Sequence, residues 1–218
     1  MKKIISAHVI ALVAGFSQAG EITSAGTVLT NTLGNYGSGY PEVIGMTNQS
    51  GLSANYISGV TDFDAFIASG VTHSGGDRNS WLGSSSVFSG SLTFDLGATY
   101  SISKFVMWNG ASGISASVKG FSITTSNDST FSTFTNVGSF TGQQNDYAAT
   151  VYDLLDTTAR YVKFNIDGNF GNGCCIAVGD IALETSVTAV PEPETYAMML
   201  AGLGMIGVSF KRRKAKQA

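Results

Sequence analysis

Cysteine is nearly missing from this chain of 218 residues: only Cys174 and Cys175 occur, and they are neighbours. Histidine is equally scarce, with His8 and His73 alone, and only 12% of residues are charged. Each shortage excludes a chemistry. Two histidines on one helix, the arrangement of many zinc peptidases, cannot occur. Two thiolates fall short of the four ligands of a closed zinc site. A cysteine nucleophile would need His73 as its base, and that residue lies far away in a polar loop. No Gly-x-Ser-x-Gly exists to form an esterase elbow. Carboxylate pairs remain for a glycosidase, Asp62 with Asp64 or Asp153 with Asp156, but acidic loop residues are ordinarily just solvated. The expectation is a protein that is not an enzyme.

What is present is concentrated first at the two ends. Met1-Lys2-Lys3 is basic, Ile4 to Phe16 is uncharged and mostly apolar, and Ser17-Gln18-Ala19 places small residues at the two positions a signal peptidase reads. This pattern predicts a secretory signal peptide over residues 1–19, cleaved after Ala19. At the other end, Val190-Pro191-Glu192-Pro193 lies in a linker over 186–195. An apolar stretch over 196–210 follows, then a tail over 211–218 with five basic residues, opening on Lys211-Arg212-Arg213-Lys214. Ala197 to Phe210 would be about 21 Å long as a helix, short of a hydrocarbon core of about 30 Å. With its flanks it reads as a single transmembrane helix, and the basic tail keeps that end in the cytoplasm and the preceding domain outside.

These C-terminal residues resemble the PEP-CTERM sorting signal: a Val-Pro-Glu-Pro motif, a short apolar helix and a basic stop. The resemblance implies recognition by an exosortase and a producer of exopolysaccharide or biofilm matrix. It implies a protein held at the inner membrane until processing, then released to the cell surface or extracellular matrix.

The residues between the ends, 20–189, suffice for one domain. Thirteen acidic residues there face five basic ones, Arg78, Lys104, Lys119, Arg160 and Lys163, for a net charge of −8 against −3 for the whole chain. An acidic domain repels nucleic acid, so no such partner is expected. The exported compartment is oxidising. Cys174 and Cys175 are then read as a vicinal disulfide, as intermolecular bridges or as two small reduced residues, the first leading although trans neighbours stand closer than most disulfides prefer.

Patterning in this middle is that of strands. Ser91 to Gly97 alternates, with Leu92, Phe94 and Leu96 on one face. Ile102 to Trp108 is apolar on both faces apart from Ser103 and Lys104, as a central strand would be. Phe121 to Thr125, Val137 to Phe140 and Ala148 to Tyr152 are shorter candidates. Arg160 to Ile166 turns Val162, Phe164 and Ile166 inward, and Ile176 to Glu184 closes the domain with Gly179 as a bulge. Turns rich in Gly, Asn, Asp and Ser separate them, as at 110–113, 126–129 and 167–173. Short strands without a long helical period predict an all-β antiparallel sandwich or jelly roll.

Trp81, then Leu92-Thr93-Phe94-Asp95-Leu96-Gly97, Tyr100-Ser101-Ile102 and Arg160-Tyr161-Val162-Lys163-Phe164 resemble the discoidin family, also called coagulation factor V/VIII type C domains. The resemblance spans residues 44–185, leaving 20–43 as an N-terminal segment. It lacks the family's terminal cysteine pair, and Gly76-Asp77-Arg78-Asn79-Ser80-Trp81 only approximates its early Asp-Gly-Asn. It implies a structural calcium ion shared by Asp77, Asn79 and Ser80 with the late acid Glu184; the ordinary reading of these residues is side-chain-to-backbone bonding in a turn. Tyr36, Tyr40, Tyr56, Tyr147 and Phe170 lie in or near turns as candidate sugar platforms, unranked, while Trp81 and Trp108 read as core. The expected function is a non-catalytic module binding extracellular polysaccharide. The alternatives are a structural surface component without a ligand and, last, a small secreted hydrolase.

Overall fold

The computed structural model describes residues 20–76, 78–110, 114–144 and 147–186, together with Gly202. The signal peptide, Asp77, the sorting motif Val190–Pro193, nearly all of the apolar segment 196–210 and the basic residues Lys211–Lys214 lie outside the described residues. The chain divides into two units, residues 1–186 and 187–218. Among the described residues no helix is long and apolar enough to cross a membrane.

The first unit is an all-β antiparallel sandwich. Its strands are β1 (Glu21–Ser24), β2 (Thr27–Asn31), β3 (Trp81–Leu82), β4 (Gly90–Asn109), β5 (Val118–Ser126), β6 (Thr135–Thr141), β7 (Ala149–Asn169) and β8 (Ala177–Ser186). The hydrogen-bonded order is β1-β8-β4-β7-β5-β6, with β2 on β4 and β3 on β8. Two pairs of expected strands prove to be single long ones. β4 joins the runs at Ser91 and Ile102, and β7 joins those at Ala148 and Arg160. Register breaks between Asp95 and Tyr100, and between Ile102 and Lys104, let β4 bend and serve both layers. Its first half pairs with β2 and the far half of β7. Its second half pairs with β8 and the near half of β7.

Period-two alternation explains the core. Leu92, Phe94, Val162, Phe164 and Ile166 point into the main cluster, where Phe121 and Phe105 meet Phe164 at 5.3 Å between ring centroids. Each such side chain contributes about 1.5–3 kcal/mol by leaving water. The doubly apolar run at Ile102 has a similar cause. Phe105 and Met107 face the main core, whereas Val106 and Trp108 face a second cluster with Ile22, Tyr56, Phe63, Phe66 and Val71. The cover on that second face includes a short helix, α1 (Phe63–Ala68), whose first turn is capped by Asp62 accepting the Ala65 N–H at 2.7 Å. Lys104 ties it down, reaching Asp64 at 3.0 Å and Glu184 at 3.1 Å.

One expectation needs correction, and another holds. The sandwich does not begin at residue 44: β1 pairs with β8 and β2 with β4, so residues 21–31 are part of it. Their strands are four and five residues long and only partly buried, too short to show a period. The closing strand does carry an extra residue at Gly179, since Trp108 pairs with Asp180 and Asn109 with Val178. A Cβ there would stand 2.8 Å from the Trp108 carbonyl oxygen and from the His73 ring. Gly179→Ala is therefore expected to cost about 1–3 kcal/mol of stability through overpacking, measurable as a lowered midpoint in urea with unchanged slope.

Candidate functional site

Loops at one end of the sandwich build an aromatic cleft of about 190 Å³, lined by Tyr36, Tyr40, Leu82, Ala116, Asn172, Cys174 and Cys175. Asn31, Asn35 and Trp81 position its first wall. Asn31 accepts from the Leu33 N–H and donates to the Gly34 carbonyl, closing a turn. The buried Trp81 donates its indole N–H to Asn35 Oδ1 at 2.9 Å, and the Tyr36 N–H donates to the Leu82 carbonyl. Trp81 is thus core, and it also pins the loop that carries both tyrosines. Tyr36 and Tyr40 meet edge to face at 5.0 Å, and Arg78 lies 5.7 Å over the Tyr40 ring while donating to the Gly39 carbonyl.

Asparagines hold the segment that brings Asn172, Cys174 and Cys175 to the cleft. Asn169 donates to the Asn172 and Cys175 carbonyls and accepts from the Gly171 N–H. Asn172 accepts from the Cys174 N–H at 2.7 Å and donates to Ser115 Oγ at 3.1 Å. Cys174 and Cys175 are joined by a disulfide across a Cα–Cα distance of 3.8 Å. Cys175 is buried in a small cluster with Leu82, Ala116 and Ala177, against which Cys174 and Tyr40 pack.

Of the other platform candidates, Tyr56 is 5% exposed and belongs to the second core cluster. Phe170 and Tyr147 are half-buried and do not line this cleft. A larger cleft, about 430 Å³, lies near Ser101, Asp156 and Ser186. Its lining holds no aromatic ring, and it sits where β8 ends, some nine residues or about 30 Å along the strand from Ala177. Size favours it, but the chemistry of sugar binding favours the aromatic cleft.

The described members of the expected calcium set, Asn79, Ser80 and Glu184, are not gathered in one place. Asn79 and Ser80 share a turn, in which Ser80 donates to the Gly76 carbonyl and Asn79 to Ser74 Oγ. Glu184 lies six positions along β8 from Val178, the partner of Trp81, hence about 20 Å away. Its carboxylate accepts from Ser103 at 2.7 Å and pairs with Lys104. The late acid near the turn is Asp180, which the sequence reading passed over. Asp180 is fully buried, Oδ2 accepts the Gln49 N–H at 2.9 Å, and Oδ1 has no partner among the described residues. The 49–51 loop that holds it also approaches Asn79: a Cβ on Gly51 would lie 2.7 Å from His73 Nε2 and 3.0 Å from Asn79 Cβ. No group of three His, Cys, Asp or Glu side chains assembles among the described residues. A calcium ion here would take most of its six to eight oxygens from backbone carbonyls. Asp180 and Glu184 share one face of β8, four positions apart, and only their neighbours separate them: the Gln49 N–H at one, Ser103 and Lys104 at the other.

His73 is also buried, with Nδ1 2.8 Å from the Ser74 carbonyl oxygen and Nε2 2.9 Å from that of Ser50; burial lowers its pKa despite them. It cannot activate a thiol, since both sulfurs are bonded to each other. Burial raises the Asp180 pKa well above the usual carboxylate range. The folded state therefore holds a proton that the unfolded state releases near pH 4, and the charged form costs stability above that pH. Asp180→Asn keeps an acceptor for Gln49. In metal-free buffer it should melt higher than the natural chain at about pH 8, with the gap closing below about pH 4; pH-resolved thermal melts check this.

Comparison with known proteins places these features. The F5/8 type C domain model matches residues 57–178, more than half the chain, and the PEP-CTERM protein-sorting motif matches residues 189–214. No curated protein matches the chain. Among solved structures, the family 32 carbohydrate-binding module of EndoD from Streptococcus pneumoniae is 17% identical over 73% of this chain and 95% of its own, with a TM-score of 0.50. The C-terminal domain of a chitobiase from Bacteroides fragilis is 17% identical over 75% of this chain and 95% of its own, at 0.48. CpGH89CBM32-5 from Clostridium perfringens, in complex with GalNAc-beta-1,3-galactose, is 17% identical over 43% of this chain, at 0.38; this chain spans 64% of that module.

Proposed function

Because the chain belongs to the F5/8 type C, discoidin-like, domain family and ends in a PEP-CTERM protein-sorting motif, we propose that it is an exported surface or matrix protein whose sandwich binds extracellular polysaccharide without catalysis. An exosortase is its processing partner. The apolar segment 196–210 holds it in the inner membrane until then, with the domain outside.

The aromatic cleft carries the binding reading. Sugar rings present C–H faces that pack on aromatic rings, and hydroxyls that need amide and guanidinium partners. Tyr36 and Tyr40 supply the first and Asn172 the second, on loops pinned by Trp81 and the asparagine turn, with the Arg78 guanidinium beside the Tyr40 ring. The shared fold with a carbohydrate-binding module agrees with this. Of the two carboxylate pairs, the first has structural work: Asp62 caps α1 and Asp64 pairs with Lys104.

The full chain, purified in mild detergent, is to be passed over immobilised galactose, glucose and N-acetylhexosamine glycans and over the producer's own exopolysaccharide. Retention is expected, and Tyr40→Ala should weaken it about tenfold or more, the loss of one stacking platform. No retention on any surface would discard the polysaccharide reading and leave a structural surface component.

Calcium, on this reading, is structural: when bound it would neutralise Asp180 and tie the 49–51 loop to the turn carrying Asn79 and Ser80. Excess calcium should raise the melting temperature of the natural chain, a chelator should reverse that, and Asp180→Asn should respond to neither. A melt indifferent to calcium removes the ion from the account.

A further inference from the structure

The structure assigns the Cys174–Cys175 disulfide to the ligand-contacting wall of the aromatic cleft, where it acts as an apolar, polarizable platform facing the sugar ring. This inference rests on the polysaccharide reading above and names an additional specificity-determining element of that site.

Three observations carry it. Both cysteines line the cleft with Tyr36 and Tyr40, and Cys174 and Tyr40 pack on the same small cluster, so bond and aromatic pair border one space. The two residues differ in setting: Cys175 is 3% exposed, seated beside Leu82, Ala116 and Ala177, whereas Cys174 is half-buried. Backbone bonds hold the bonded pair from both sides. The Cys174 N–H donates to Asn172, its carbonyl accepts from Ser86 at 2.6 Å, and the Cys175 carbonyl accepts from Asn169 at 2.9 Å.

A disulfide between neighbours closes no loop of chain worth mentioning, so it adds little of the entropy that makes ordinary disulfides stabilising. Its local effect is to join two side chains and their shared peptide into one small rigid ring. Sulfur is soft and polarizable, and it packs well against aromatic edges and C–H groups. A free Cys174 side chain would instead be a rotor at the cleft's edge, and ordering it on binding would cost affinity. The chain has no other cysteine, so any effect of a thiol reductant maps to this bond.

Reduction is a balanced exchange. A dithiol passes two electrons and two protons to the bond, the Sγ–Sγ bond breaks to give two thiols, and the reductant closes to its own cyclic disulfide. The cleft then loses a wall, and glycan affinity should fall about tenfold.

The test uses the full chain in detergent with the immobilised galactose, glucose and N-acetylhexosamine glycans. Expected results are three: retention drops about tenfold in dithiothreitol and returns on reoxidation; Cys174→Ala combined with Cys175→Ala shows the same drop; and soluble glycan at saturation slows reduction of the bond, followed by thiol alkylation and mass. The third result would not arise from a purely structural disulfide. Retention that survives reduction but is lost in Tyr40→Ala overturns this inference and leaves the polysaccharide reading intact. Absence of retention in any form overturns both. Circular dichroism accompanies each measurement, and loss of fold in both the reduced chain and the alanine variant also overturns the inference, since the bond would then be a staple for folding.

Discussion

Antiparallel pairing of β4 with β7 is the constraint on which the rest of the domain depends. Both strands are far longer than an ordinary strand, 20 and 21 residues. They pair from Gly90 with Ile166 to Trp108 with Ala149, broken at two places where the sheet bends. One continuous ladder therefore builds the centre of both layers. The bend brings Phe105 from one half against Phe164 from the other. At the bend, Arg160 grips Asp95 through two hydrogen bonds of 2.8 Å, and Asp95 also accepts the Gly97 N–H. The Asp-Leu-Gly run is thus the corner of the sandwich, and Arg160 holds the Asp95 carboxyl below its usual pKa.

Site and fold meet through β3, the shortest strand. Trp81 and Leu82 add to β8 next to the Gly179 bulge. From there Trp81 pins the tyrosine loop, while Leu82 floors the cleft beside Cys175. The same bulge leaves room for His73 and precedes the buried Asp180. A buried carboxyl with an oxygen lacking a partner among the described residues is costly on its own, which gives Asp180 a physical reason to attract a cation. Glu184 has no such reason, because Lys104 and Ser103 already satisfy it.

How much was legible followed from how strongly each feature is periodic or local. Leu92, Phe94 and Leu96, or Val162, Phe164 and Ile166, declare their face because a strand repeats every two residues. Gly179 declared a bulge because glycine inside an apolar strand needs a backbone reason. β1 and β2 did not declare themselves, being short and half-exposed, with their value lying in edges offered by distant strands. Choosing between Glu184 and Asp180 was not possible by spacing, since residues four apart on a strand share a face and only their tertiary neighbours differ. Tyr36 and Tyr40 could be named as loop aromatics, but Tyr56 had the same description and lies in the core.

The sequence by itself determined the all-β class, the acidic exported domain, the sorting motif at residues 189–214 and the family, because these rest on composition, order and period, which are properties of the chain taken locally. Tertiary structure alone decided that two pairs of expected strands are two long bent strands, that Asp180 rather than Glu184 is the buried acid near the turn, and that a tyrosine pair, Asn172 and the bonded cysteines share one cleft. Those are juxtapositions of segments separated by up to about 140 residues along the chain, and only the closing of the sandwich brings them within reach.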